Sequence, residues 1–81
     1  MLANKGRIHL KDVGAGATIY IDEQQVPAGR LISKGDDIIV KEVEPGTRAV
    51  KIEKSGYQDW EDDVEVVGQK REEVNVVLES E

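Results

Sequence analysis

The chain has no cysteine and no phenylalanine, and among its 81 residues only one histidine, one tryptophan, two tyrosines and two prolines. The absence of cysteine removes disulfides, thiolate nucleophiles and cysteine-ligated zinc together. A single histidine rules out a paired-histidine site within one chain. No apolar run approaches the length of a transmembrane helix, and Met1-Leu2-Ala3-Asn4-Lys5 has no apolar stretch of the kind a signal peptide carries. Positive charge is also short: 11 Lys and Arg against 17 Asp and Glu leave a net charge of −6. Phosphate binding needs clustered cations, and along this chain the cations are scattered among carboxylates. That argues against nucleic acid and against anionic membrane surfaces. A domain this small has a thin core and little room for a deep pocket or a second substrate domain.

What is present is β-branched and alternating. Val and Ile dominate the apolar set, which favours a pleated surface over a helix. Apolar residues fall at every second position in Arg7–Lys11, Thr18–Asp22, Asp37–Lys41, Arg48–Lys54, Asp62–Val66 and Glu73–Leu78. Period two means one face toward a core and one toward water. Residues 70–79 also fit helical spacing, but Val74, Val76 and Leu78 alternate, so a strand is expected there. Arg30–Ser33 is expected as a short edge strand. Runs at this spacing predict an all-β fold: a small antiparallel β-sandwich of about six or seven strands. Residues 6–79 form the single domain, with 1–5 and 80–81 as tails.

The turns agree. Glu44-Pro45-Gly46-Thr47 suits a type II turn, with Pro45 presetting φ and Gly46 accepting a positive one. Ser55-Gly56 interrupts the pattern before Tyr57. Val67-Gly68-Gln69-Lys70 reads as a two-residue hairpin with Gly68 at the first central position. Gly14-Ala15-Gly16 lacks the third glycine and the following helix of a phosphate loop, and is a plain turn.

The order of these features resembles the PEGA domain family. Gly6–Leu10 stands in the place of its first short strand, and Gly16–Asp22 matches its Gly-Ala-x-Val-Tyr-Ile-Asp strand. Val43–Ile52 matches its Pro-Gly turn and strand, Lys54-Ser55-Gly56-Tyr57 its Lys-x-Gly-Tyr element, and Val64–Leu78 its closing strands. The chain departs from the family where Glu23 replaces the glycine after Asp22, and again across Val26–Arg30. The resemblance implies a transthyretin-like sandwich, similar to carboxypeptidase-regulatory domains. It also implies a non-catalytic accessory module, without cofactor, set in a longer exported or surface protein. Cytoplasmic residence stays open. Protein partners, neighbouring domains of the parent chain or a glycan are the expected contacts, and a regulatory domain beside a peptidase-like enzyme is a further alternative.

Candidate sites follow from residue type. His9 alternates with Ile8 and Leu10 and is expected on the solvated face. No serine sits in a Gly-x-Ser-x-Gly elbow to pair with it. Asp59, Asp62 and Asp63 lie in an acidic run and are weak candidates for calcium, which takes clustered carboxylates. Tyr20, Tyr57 and Trp60 are the candidate contact surface for a partner or a sugar. Core or rim packing is the plainer expectation for Tyr57 and Trp60. Tyr20 is grouped with the off-face apolar residues Ile39 and Val77.

Overall fold

The structure, a computed structural model, describes residues 4–81. The alternating runs become strands β1 (Gly6–Lys11), β2 (Ala17–Ile21), β3 (Gln24–Gln25), β4 (Leu31–Lys34), β5 (Asp37–Val43), β6 (Gly46–Lys54), β7 (Trp60–Val66) and β8 (Arg71–Asn75). One turn of 3₁₀ helix at Ala28–Arg30 precedes β4. Two four-stranded sheets result, ordered β4-β5-β1-β8 and β3-β2-β6-β7. Ile8, Leu10, Ile38 and Val40 from the first sheet and Ile19, Val50, Ile52, Val64 and Val66 from the second close one shared core. Even-numbered residues of β1 and β6 face it, as a pleat requires, and so do those of β5 as far as Val40, after which Val43 turns inward.

Three expectations are corrected. The sheets are not wholly antiparallel, because β8 runs parallel to β1, from Arg7 opposite Arg71 to Lys11 opposite Asn75. The segment Val67–Lys70 is a turn, closed by the Lys70 N–H on the Val67 carbonyl, but not a hairpin. It carries the chain from the second sheet to the first and starts β8 beside the start of β1. Finally, Gly68 does not supply the positive φ; Gln69 does, at 62°. Gly68 is needed for space, since a Cβ there would lie 2.9 Å from Asn4.

Gly56 behaves as expected. At φ 85° it closes a turn in which the Tyr57 N–H donates to the Lys54 carbonyl. Gly46, at φ 110°, follows the bend at Pro45.

The irregular stretch after Asp22 has its own logic. Asp22 and Glu23 both take positive φ, 51° and 69°, the geometry of a tight two-residue hairpin between β2 and β3. Asp22 tolerates this because its carboxylate accepts the Ala49 N–H and an Arg48 N–H. Glu23 has no such tie. Glu23→Gly is therefore expected to stabilise the domain by about 1 kcal/mol, the order of the left-handed penalty, raising Tm by several degrees in a thermal melt. A lower Tm would contradict this account of the turn.

A bulge near Lys41–Glu42, with Glu42 at φ 58°, shifts the β1–β5 register. The Arg30 guanidinium donates to the carbonyls of both bulge residues. At the C-terminus, Val76 is buried. The last two residues, expected as a tail, are tied down: Ser80 bridges to Tyr57, and the Glu81 N–H donates to the Gly56 carbonyl.

Candidate functional site

His9 is not solvated. It is 8% exposed, because β1 is an inner strand and alternation specifies a face, not an exposure. Its cross-strand neighbours are Ile39 on β5 and Glu73 on β8. Its Nε2–H donates to Asp37 Oδ2 at 2.8 Å, while Nδ1, which has no hydrogen-bond partner among the described residues, lies 4.0 Å from Glu73 Oε2. The backbone N–H of Asp12 donates to the other Asp37 oxygen. That amide and His9 together hold the Asp37 carboxyl below the ordinary carboxylate range. Lys11, 3.1 Å away, does the same for Glu73.

The outer face of the second sheet is built differently. Tyr20 opposes Lys51, which opposes Glu61; Thr18 opposes Glu53, and Ala49 opposes Asp63. The Tyr20 hydroxyl donates to Glu53 at 3.1 Å and is pushed up by that bond, while Lys51 Nζ stands 5.6 Å from the ring centroid. Lys51, and then Tyr20, hold Glu53 below its ordinary value.

Tyr57 is half-buried, with Lys54 Nζ 5.0 Å from its ring centroid. Trp60 is half-buried against the core, opposite Ile52. The candidate aromatics are thus each engaged within the domain. The grouping of Tyr20 with Ile39 and Val77 is overturned: Tyr20 is on the outer face of one sheet, Ile39 on that of the other, and Val77 beyond β8.

Asp59 pairs with Lys51 at 3.6 Å, and Asp62 accepts the Asp63 N–H. Asp62 and Asp63 are neighbours on one strand, so their side chains leave opposite faces. Among the described residues, no group of three or more His, Asp or Glu is arranged to hold a metal ion.

The registers reveal an arrangement that the linear sequence concealed. Arg7, Lys11, Lys34, Lys41 and Arg71 share the outer face of the first sheet, with only Asp37 and Glu73 against them. Glu53, Glu61, Asp63 and Glu65 share the outer face of the second sheet, with only Lys51 against them. The cations that look scattered along the chain are sorted by face. Alternation already assigns Arg7, His9 and Lys11 to one face and Glu61, Asp63 and Glu65 to another. What it lacks is the knowledge of which strands share a sheet.

Among the described residues, two cavities open to solvent lie near these faces. The larger, about 220 Å³, lies between Ile21–Val26 and Val43. Of its three cations, Arg48 and Lys5 are already paired with Asp22 and Glu44, and Arg30 is bonded to the Lys41 and Glu42 carbonyls. The smaller, about 130 Å³, lies on the acidic face beside Ala49 and Lys51.

The PEGA domain family model matches residues 37–81, from β5 to the C-terminus. The chain belongs to the PEGA family. The match takes in the Pro45-Gly46 bend, the Lys54–Tyr57 turn and the closing strands, and leaves the Gly6–Leu10 and Gly16–Asp22 strands outside it. PEGA domains are accessory, non-catalytic modules. No individual curated protein matches the chain. In this PEGA domain no helix among the described residues is long and apolar enough to cross a membrane.

The carboxylate shifts set a pH dependence. Asp37, Glu53 and Glu73 are lower in the folded domain than their ordinary values of 3.8 and 4.5. The unfolded chain therefore binds more protons in acid. Their stabilisation is present above those ordinary values and is lost as pH falls through the folded ones. Tm is expected to hold from neutrality down to about pH 5 and to fall below about pH 4, less steeply in Asp37→Asn. A melt series in citrate and glycine buffers checks this; an acid limb identical in the variant would contradict the role of Asp37.

Proposed function

We propose that this domain is a non-catalytic contact module of a larger exported or surface protein. It presents the outer faces and edges of its sheets to a protein partner or to neighbouring domains of its parent chain. The observation that carries this reading is the sorting of charge: a domain of net −6 displays a mainly cationic face on one sheet and an anionic face on the other. Opposed charge patches steer association and fix orientation more than they add affinity. A two-sheet scaffold with one continuous core displays them without an ordering cost.

A glycan-binding role asks for an aromatic platform free to stack on a sugar. Tyr20 and Tyr57 instead lie under lysines, and Trp60 packs against the core, which favours protein contact. The test is lysine-directed cross-linking of the intact parent protein in the cell that makes it, beside an NMR titration of the labelled domain with cell-wall glycans. Cross-links from Lys11, Lys34 or Lys41 to another domain or protein are expected, with a silent glycan titration. Glycan-induced shifts at Tyr57 and Trp60, without such cross-links, would overturn the reading.

A further inference from the structure

The edge of the first sheet at β4 combines an unpaired backbone with a graded set of side chains. Among the described residues β4 pairs only with β5, through Leu31–Val40, Ile32–Ile39, Ser33–Ile38 and Lys34–Asp37. A two-residue turn, Gly35-Asp36, closes that hairpin. The alternation of an antiparallel ladder then directs the N–H and C=O of Ser33 away from β5, toward the open edge. The edge is held still: the Asp36 carbonyl accepts the Val13 and Gly14 N–H groups, and Arg30 anchors the bulge at the other end. An edge already ordered loses little entropy when a strand joins it.

The outward side chains continue a pattern across the sheet. Ile32, 37% exposed, extends the row of Ile39 and His9, which are 7% and 8% exposed. Lys34 lies in the next row on one side and Lys41 in the next row on the other. The β7 edge of the other sheet is the opposite case. It carries Glu61, Asp62, Asp63 and Glu65, inline with the use of like charges to keep other strands off.

We propose that the β4 edge receives an extended acidic segment of a partner protein, which pairs with Leu31–Lys34 as a fifth strand of the first sheet. This inference rests on the protein-contact reading above and gives that contact a place and a chemistry. Backbone bonds at Ser33 supply the docking, as in other strand additions. An apolar residue opposite Ile32 closes the apolar row. A carboxylate two positions to one side meets Lys34 as its direct cross-strand neighbour, and one two positions to the other side falls in the row of Lys41, which lies one strand further in on β5. The segment selected reads acidic–x–Val or Ile–x–acidic.

The test is an NMR and hydrogen-exchange titration of the labelled domain. The probe is a short threonine-rich peptide with glutamate, valine and glutamate at alternate positions, compared with its lysine-for-glutamate counterpart. Expected are shifts along Leu31–Lys34, Ile39 and Lys41, slowed exchange of the Ser33 amide, and at least tenfold weaker binding of the lysine peptide. Lys34→Glu is expected to reverse the preference. Ser33→Pro removes the edge donor while leaving the β5 ladder intact, since proline is tolerated with its nitrogen facing outward on an edge strand. It is expected to abolish binding with the rest of the spectrum unchanged.

Shifts spread over the cationic face without protection at Ser33, equal binding of both peptides, or no binding at millimolar peptide would overturn the proposal. So would a preference for anionic vesicles or oligonucleotides over the acidic peptide. Parent-chain cross-links that persist alongside any of these results would leave the contact reading standing and remove only the edge assignment.

Discussion

Ile52→Ala is expected to destabilise the domain by about 3–5 kcal/mol, toward the upper end for buried aliphatic truncations. Ile52 is fully buried on β6, between Ile19 on β2 and Trp60 on β7. It is enclosed by neighbours on both strands and by the facing sheet. A sandwich of two hydrogen-bonded sheets collapses poorly around a lost side chain, so most of the cavity remains. A domain of this length has only about 4–12 kcal/mol of stability, so the variant is expected to be partly unfolded at physiological temperature. Urea unfolding followed by Trp60 emission measures the change. A shift below about 1 kcal/mol would mean that Ile52 does not hold the two sheets together as described.

Gly6→Ala is expected to cost about 2–3 kcal/mol, the upper range for an overpacked position. A Cβ on Gly6 would lie 2.5 Å from the Val67 carbonyl oxygen and 2.7 Å from Val66 Cγ1. The carbonyl has no freedom to retreat, because it accepts the Lys70 N–H that closes the turn between the sheets. The start of β1 is thus wedged under the crossing from β7 to β8, and glycine is what lets the backbones approach. Gly29→Ala is the control: its Cβ would meet nothing, and the change should stay within about 0.5 kcal/mol. Equal midpoints for the two variants would contradict the close packing at Gly6.

Much of this fold is legible in the chain, for a local reason. Period-two alternation specifies strands and their inner faces, so Ile8 and Leu10, Val50 and Ile52, and Val64 and Val66 are each readable as core pairs. The edge strand expected at Arg30–Ser33 lies one residue on, at Leu31–Lys34, and the strand expected through Leu78 ends at Asn75. Pairing is not local. Nothing in residues 67–70 tells that the chain changes sheets there, so the parallel β1–β8 pair is hidden, and with it the flanking of β1 on both sides. The burial of His9 follows from that hidden neighbour.

The glycines divide similarly. Gly56 is readable because its role is a backbone angle in a local turn. Gly6 and Gly68 serve close approaches by distant segments, which no turn rule detects. The sorted charges are the most consequential case. Each strand's outward residues are visible in the sequence, but the face they compose exists only once Arg7, Lys34, Lys41 and Arg71 are placed on one sheet and Glu61, Asp63 and Glu65 on the other.

That sorting is the central claim, and the near-surface potential at each backbone amide tests it most directly. It is obtained from the paired relaxation effects of cationic and anionic paramagnetic cosolutes on the labelled domain at low salt, where surface charge is least screened. The account predicts that the anionic probe is enriched over amides of β4, β5 and β1 around Lys34, Lys41 and Arg7, and the cationic probe over β6 and β7 around Glu61, Asp63 and Glu65. A potential uniformly negative over both faces, as the net charge alone would give, would contradict it.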